Sequence, residues 1–120
     1  MTTGNKVILF NHDLIRLEEI RKFIDENFTQ ELTIKSLSIK FTISKSTLQR
    51  HFWSCYSEPI AYYIHKCRMA RAMALLKERT IPISQIGMTV GYSHRSPFTR
   101  AFRKFFGNPP AYFLRRDFEK

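Results

Sequence analysis

Arg50 and Arg100 stand fifty positions apart in matching surroundings, Leu48-Gln49-Arg50-His51-Phe52 and Phe98-Thr99-Arg100-Ala101-Phe102. A guanidinium is a rigid fork of donors that fits paired acceptors, on a phosphate or on the O6/N7 edge of guanine. Gln49 offers the donor–acceptor pair that suits adenine. Other hydrogen-bonding and basic side chains stand close by. Ser44, Lys45 and Ser46 precede the first arginine; His94, Arg95, Ser96 and Thr99 precede the second, and Arg103 and Lys104 follow it. These residue types suit recognition of an anionic polymer that carries hydrogen-bonding edges.

Such side chains need a scaffold, and the pattern supplies one twice. In each copy the apolar residue and the phenylalanine are four apart, so a helix turns them to the side away from the arginine. Upstream the frame recurs: Leu37 precedes a loop and then Ser44, and Ile86 precedes a loop and then Ser93. The apolar-Arg-Phe cores differ by fifty positions but Leu37 and Ile86 by forty-nine, so the second copy carries one extra residue before its polar face.

The remaining signals are helical as well. Leu17, Ile20, Ile24 and Phe28 form a stripe from Asp13 to near Asn27, after a loose arm over residues 1–12. Thr33 is placed to cap a short helix over residues 34–41, and Ser44 to cap the next, after a turn at Thr42-Ile43. Pro59 marks the start of a long fourth helix that runs to Lys77 with Ile60, Tyr63, Ile64, Cys67, Ala70 and Ala74 as its apolar side. Ile83, Ile86 and Val90 pattern a fifth helix, and Gly91 suits its left-handed end. Ser93 or Ser96 is expected to cap a sixth helix, with Ser93 or His94 opening it; Gly107-Asn108-Pro109-Pro110 stops it, and Pro110 starts a last short one. No segment alternates with period two long enough for a strand. The expected fold is all-α with about seven helices. Residues 13–56 and 79–120 form two helix-turn-helix subdomains, and the helix over 57–78 joins them.

A helix-turn-helix needs a tight turn, a close crossing and a second helix that is apolar on one side and polar at its N-terminal half. Residues 33–52 meet this, with Ser38 as the small residue at the crossing. Residues 83–102 meet it again, with Gly87 in that role. A helix of about 19 residues spans roughly 28 Å, and successive major-groove windows lie about 34 Å apart. Two recognition helices on one rigid bar therefore suit adjacent grooves of one duplex.

Charge agrees. The 120 residues carry a formal net charge of +10. Residues 33–120 hold sixteen basic and four acidic side chains, so the repeated part alone is about +12 and the first 32 residues are slightly acidic. A concentrated positive field draws polyanions and releases their counterions, although it does not distinguish DNA from RNA or an anionic membrane. No apolar run approaches the roughly 20 residues of a membrane span. Val7-Ile8-Leu9-Phe10, cut short by Asn11, is not a signal peptide. Cys55 and Cys67 make no disulfide framework, which suits a reducing cytoplasm. The four histidines lack metal-ligand spacing, and nothing resembles a nucleophile motif, a phosphate-binding glycine loop or a paired-carboxylate site. Neither a catalytic residue, a metal nor a cofactor is expected. Phe52, Phe98, Phe102, Phe105 and Phe106 recur at helical spacing and read as core rather than as stacking platforms for single strands.

Residues from about 16 to 116 resemble the DNA-binding domain of the AraC/XylS family of bacterial transcription regulators. The first half matches in Leu37-Ser38, Ser44, Leu48-Gln49-Arg50 and Phe52. The second matches in Pro82-Ile83, Ile86-Gly87, Gly91-Tyr92, Phe98, Arg100, Phe102-Arg103-Lys104, Phe106-Gly107 and Pro110. The resemblance covers most of the chain and is similar in size to the small stand-alone members of the family. It implies base contacts from Ser46, Gln49 and Arg50 in the first motif and from Arg95, Ser96, Thr99 and Arg100 in the second. Phosphate contacts would come from Ser44, Lys45, His94, Arg103 and Lys104. It further implies monomeric binding to a promoter duplex, contact with RNA polymerase, activation in the bacterial cytoplasm at the nucleoid, and no small-molecule effector.

Four positions depart from the family pattern. Ser46 stands where small members often have tryptophan, Thr42 where a turn glycine is common, and Trp53 where a basic residue is usual. Pro97 lies inside the expected sixth helix, which on one reading starts at Ser96-Pro97. Because Arg95 and Ser96 differ from Lys45 and Ser46, the two faces imply a directional site, not a palindrome. The rival readings are a repressor, a DNA-binding fragment of a larger ligand-sensing regulator, and a non-specific basic architectural or RNA-binding protein. The irregular leader through Asn11 speaks against a fragment.

Overall fold

A computed structural model of the chain describes residues 9–115. The described residues form α1 (Asn11–Asn27), α2 (Ile34–Lys40), α3 (Lys45–Tyr56), α4 (Ile60–Glu78), α5 (Ile83–Thr89), α6 (Arg95–Phe106) and a 3-10 turn (Pro110–Leu114), with no strand among them. The all-helical expectation holds, and the described helical segments number seven if the 3-10 turn is included. The chain divides into two compact units, one up to His65 and one from Lys66. The division falls inside α4, which runs without a break from Ile60 to Glu78.

In the first unit α1 and α2 both pack on α3. The core comprises Leu17, Ile20 and Ile24 of α1, Leu37 of α2, Leu48 and Phe52 of α3, and Ile60 and Ile64 at the start of α4. Phe52 stacks obliquely with Tyr56 and Tyr63 at ring separations of 4.7 and 5.7 Å. The Arg21 guanidinium lies 4.9 Å from the centre of the Tyr56 ring. Partial burial pushes the Tyr56 phenol above its usual range. α1 begins at Asn11, two residues earlier than its apolar stripe suggests. Asp13 is not the start but the third residue, and its carboxylate accepts the Phe10 N–H at 3.1 Å, which satisfies a donor that the helix leaves open. The expected loose arm falls, for residues 1–8, outside the described residues.

In the second unit α5 and α6 pack together, and the 3-10 turn packs on α6. Its core gathers Met69, Ala72, Leu75 and Leu76 of α4 with Ile86, Val90, Phe98, Phe102 and Phe113. The Arg79 guanidinium donates to the Leu114 carbonyl at 3.1 Å and ties the end of α4 to the 3-10 turn. Arg68 lies over the Tyr92 ring, 5.7 Å from its centre. Burial lowers the Arg68 pKa and raises that of Tyr92.

Sequence periodicity misplaces one face of α4. A stripe continued from Ile60 and Ile64 leads to Ala70, which is exposed, whereas Met69, Ala72 and Leu76 are buried. One helix serves two cores, so the first stripe ends at the unit boundary and a second begins in a different register. A single helical period cannot describe both.

Candidate nucleic-acid interface

The two helix-turn-helix turns are built from the same hydrogen bonds. In the first, Phe41 N–H donates to Leu37 O at 3.0 Å, Thr42 N–H to Ile39 O at 3.3 Å and Ile43 N–H to Ser38 O at 3.0 Å. In the second, Val90 N–H donates to Ile86 O at 3.1 Å, Gly91 N–H to Met88 O at 3.2 Å and Tyr92 N–H to Gly87 O at 2.9 Å. Thr42 and Gly91 both hold positive φ, 51° and 114°. A glycine takes this conformation at little cost, whereas a β-branched residue is strained there.

The second crossing needs a small residue, as expected. A Cβ added at Gly87 would lie 2.8 Å from Cβ and Cγ of Phe98. Ser38, at the equivalent place, is accommodated by turning its hydroxyl to donate to the Ile43 carbonyl. The extra residue of the second copy is also located. From the left-handed residue to the helix cap the first turn runs Thr42-Ile43-Ser44, and the second runs Gly91-Tyr92-Ser93-His94.

The first recognition helix, α3, is capped by Ser44, whose hydroxyl accepts the Thr47 N–H at 3.1 Å. Thr33 caps α2 in the same way, and Ser36 reciprocates. On α3 the spacing 46, 49, 50, 53 places Ser46, Gln49, Arg50 and Trp53 on one face. Leu48 and Phe52, fully buried, define the opposite face. Ser46, Gln49, Arg50, Ser44 and Lys45 are all exposed, and Trp53 is half-buried.

The second recognition helix, α6, starts at Arg95 with His94 as its cap residue. Neither Ser93 nor Ser96 takes the capping role, and the His94 side chain makes no cap hydrogen bond. The extra residue explains this, because it moves Ser93 one place upstream of the cap position that Ser44 fills in the first copy. The helix does not wait for Ser96-Pro97 either. Pro97 occupies the third position, where no intrahelical N–H bond is lost. Arg95 is therefore helical.

Phe98 and Phe102 are buried, and the opposite side carries the predicted polar set. Arg95, Ser96, Thr99, Arg100 and Arg103 line one open depression of about 300 Å³. Arg100, Arg103 and Lys104, with Pro97, Ala101 and Gly107, line a second of about 620 Å³. Four residues expected to read bases and one expected to meet phosphate thus share one concavity. Thr99 is half-buried, while the other polar members are exposed. His94 is exposed at the mouth of α6.

No acidic side chain lies on either face, since Glu58 and Glu78 are the only acids between residues 33 and 115. Glu78 lies beside Arg71 at 4.0 Å. Among the described residues no cluster of metal-binding side chains occurs, and no helix is long and apolar enough to cross a membrane. Reading the sequence for arginines and amides missed that Trp53 shares the face of Gln49 and Arg50. The signal was present in the i, i+3, i+4, i+7 spacing from Ser46.

Residues 37–116 match the family model described as a helix-turn-helix domain. The chain is 29% identical over 97 residues to the Msm operon regulatory protein of Streptococcus mutans, a match that covers 81% of this chain and 35% of that protein. It is 31% identical over 100 residues to the regulatory protein SoxS of Escherichia coli K12, covering 83% of this chain and 94% of SoxS. The chain thus spans about a third of one relative and nearly all of the other. Its fold is similar to the C-terminal domain of AraT, a response regulator from Geobacillus stearothermophilus, with a TM-score of 0.79, 28% identity and 82% of each chain covered. With two matching turns, two polar recognition faces and these relatives, the chain belongs to the AraC/XylS family of helix-turn-helix DNA-binding domains.

Proposed function

We propose that this chain is a transcription activator that binds an asymmetric promoter duplex as a monomer, with α3 and α6 in successive major grooves. The observation that carries the reading is the doubled turn, with identical hydrogen bonding ahead of two recognition helices whose outward faces are polar, basic and free of acids. In the first groove Arg50 reads guanine and Gln49 adenine, with Ser46 beside them. In the second, Arg95 and Arg100 supply the forks, and Ser96 and Thr99 hydrogen-bond to base edges.

Ser44, Lys45, His94, Arg103 and Lys104 set the register on phosphates, which carry affinity but no sequence information directly. The unbroken α4 supports simultaneous engagement of the two sites, and the unlike faces of α3 and α6 support a site with a direction. Activation implies contact with RNA polymerase, and nothing in this scheme requires a cofactor, an effector or a catalytic residue. The relatives are named as regulatory proteins, which agrees with this role.

Selection of bound duplexes from a random pool, followed by footprinting, tests the reading. Two protected major-groove segments one helical turn apart, with different sequences, are expected at one protein per duplex. A pool that stays random after selection overturns sequence-specific reading. A palindromic site protected by two copies overturns the monomer.

A further inference from the structure

We infer that Trp53 is a specificity-determining residue of the first recognition helix, which sets its indole against the 5-methyl group of a thymine rather than against a phosphate. The inference deepens the reading above and rests on α3 entering a major groove. Trp53 lies seven residues after Ser46 and four after Gln49, outside the stripe of α3 that is buried through Leu48 and Phe52. It thus stands between Ser46 and Gln49 on the polar face, where it is half-buried.

A long side chain on a helix points back over the preceding turn. That direction lays the indole towards the turn bearing Gln49 and Arg50. The second copy shows what this position does in the same scaffold. Arg103, fifty residues on, lines one depression together with Arg95, Ser96, Thr99 and Arg100. The position is therefore contiguous with the reading residues in that copy, not remote from them.

The two copies differ there in chemistry. A guanidinium at Arg103 suits a phosphate or a guanine edge. An indole carries no charge and has a single N–H donor on a large apolar body. In a major groove, the apolar group presented by a base pair is the thymine methyl. The first half-site thus exchanges one ionic contact for one apolar contact, which makes it less dependent on salt and gives it a preference for thymine over cytosine at one position.

The test uses the full chain and the duplex that it selects, resynthesised with deoxyuridine in place of thymidine at one position at a time. This removes the methyl and leaves base pairing unchanged. At one thymine in the α3 half-site, the substitution is expected to weaken the wild-type protein about fourfold, the value of one buried methyl-sized group, and to leave Trp53→Ala unaffected. Trp53→Lys, which supplies a charge at the place of Arg103, is expected to lose the methyl sensitivity and to steepen the salt dependence by about one unit of slope. Trp53 is the single tryptophan, so reduced acrylamide quenching of its emission on the selected duplex is expected as well.

A deoxyuridine scan with no position whose effect disappears in Trp53→Ala overturns the inference, as does a selected half-site without such a thymine. If Arg50→Ala relaxes sequence preference while the scan is flat, only the role of Trp53 falls. If neither variant changes preference, the groove-reading assignment of α3 falls with it.

Discussion

Thr42 and Gly91 occupy the same place in two turns that share their hydrogen bonds, and both are left-handed, at φ 51° and 114°. The first turn reaches with a β-branched residue the conformation that the second reaches with glycine. The strain in such a residue is on the order of 1–2 kcal/mol. The bonds around the turn, including Ser38 to Ile43, hold Thr42 in place.

Thr42→Gly is therefore expected to stabilise the first unit by about 1 kcal/mol, the strain relieved less the extra backbone entropy of glycine in the unfolded chain. A rise in the urea midpoint with unchanged slope checks this. A lower midpoint would show that Thr42 is not strained.

Gly87→Ala places a methyl 2.8 Å from the Phe98 Cβ. The crossing of α5 and α6 must open, at a cost of about 1–3 kcal/mol. Thermal unfolding measures the loss. Because α6 carries Arg100, binding of the selected duplex is expected to weaken by more than the loss of folded protein explains.

His94 sits at the α6 cap position without a side-chain cap bond. His94→Ser is expected to supply that bond, as Ser44 does for α3, and to stabilise the second unit by about 0.5–1 kcal/mol. Melting temperature reads the gain. DNA affinity is expected to fall in the same variant if His94 meets a phosphate, so stability and binding move in opposite directions.

Arg50→Ala is expected to weaken the selected duplex by roughly 1–3 kcal/mol and to spare random DNA. Lys104→Ala is expected to weaken both alike and to reduce the salt slope by about one. Titrations of both duplexes at several salt concentrations separate the two behaviours, and equal losses for Arg50→Ala on both duplexes would refute base reading.

Ala70 is exposed near the middle of α4. Ala70→Pro removes a helical N–H bond and kinks the helix. Affinity for a duplex carrying both half-sites is expected to fall towards that for one half-site. Unchanged affinity would sink the rigid-bar reading.

Local chemistry determined most of this molecule from sequence alone. The cap at Ser44, the small residues Ser38 and Gly87, the left-handed end at Gly91 and the outward placement of Arg50 and Arg100 all depend on neighbours within a few residues, so spacing suffices to read them. Three things were decided only in the tertiary structure. The buried side of α4 changes partway along because two cores draw on one helix, which moved burial from Ala70 to Met69. The α6 cap fell on His94 because one extra residue had to be accommodated between a turn held by its hydrogen bonds and a helix held by Phe98 and Phe102. Trp53 shares a helical side with Gln49 and Arg50 by spacing, but only the anchoring of α3 through Leu48 and Phe52 made that side face outward. A helical period says which residues share a side, but only packing says which side is buried.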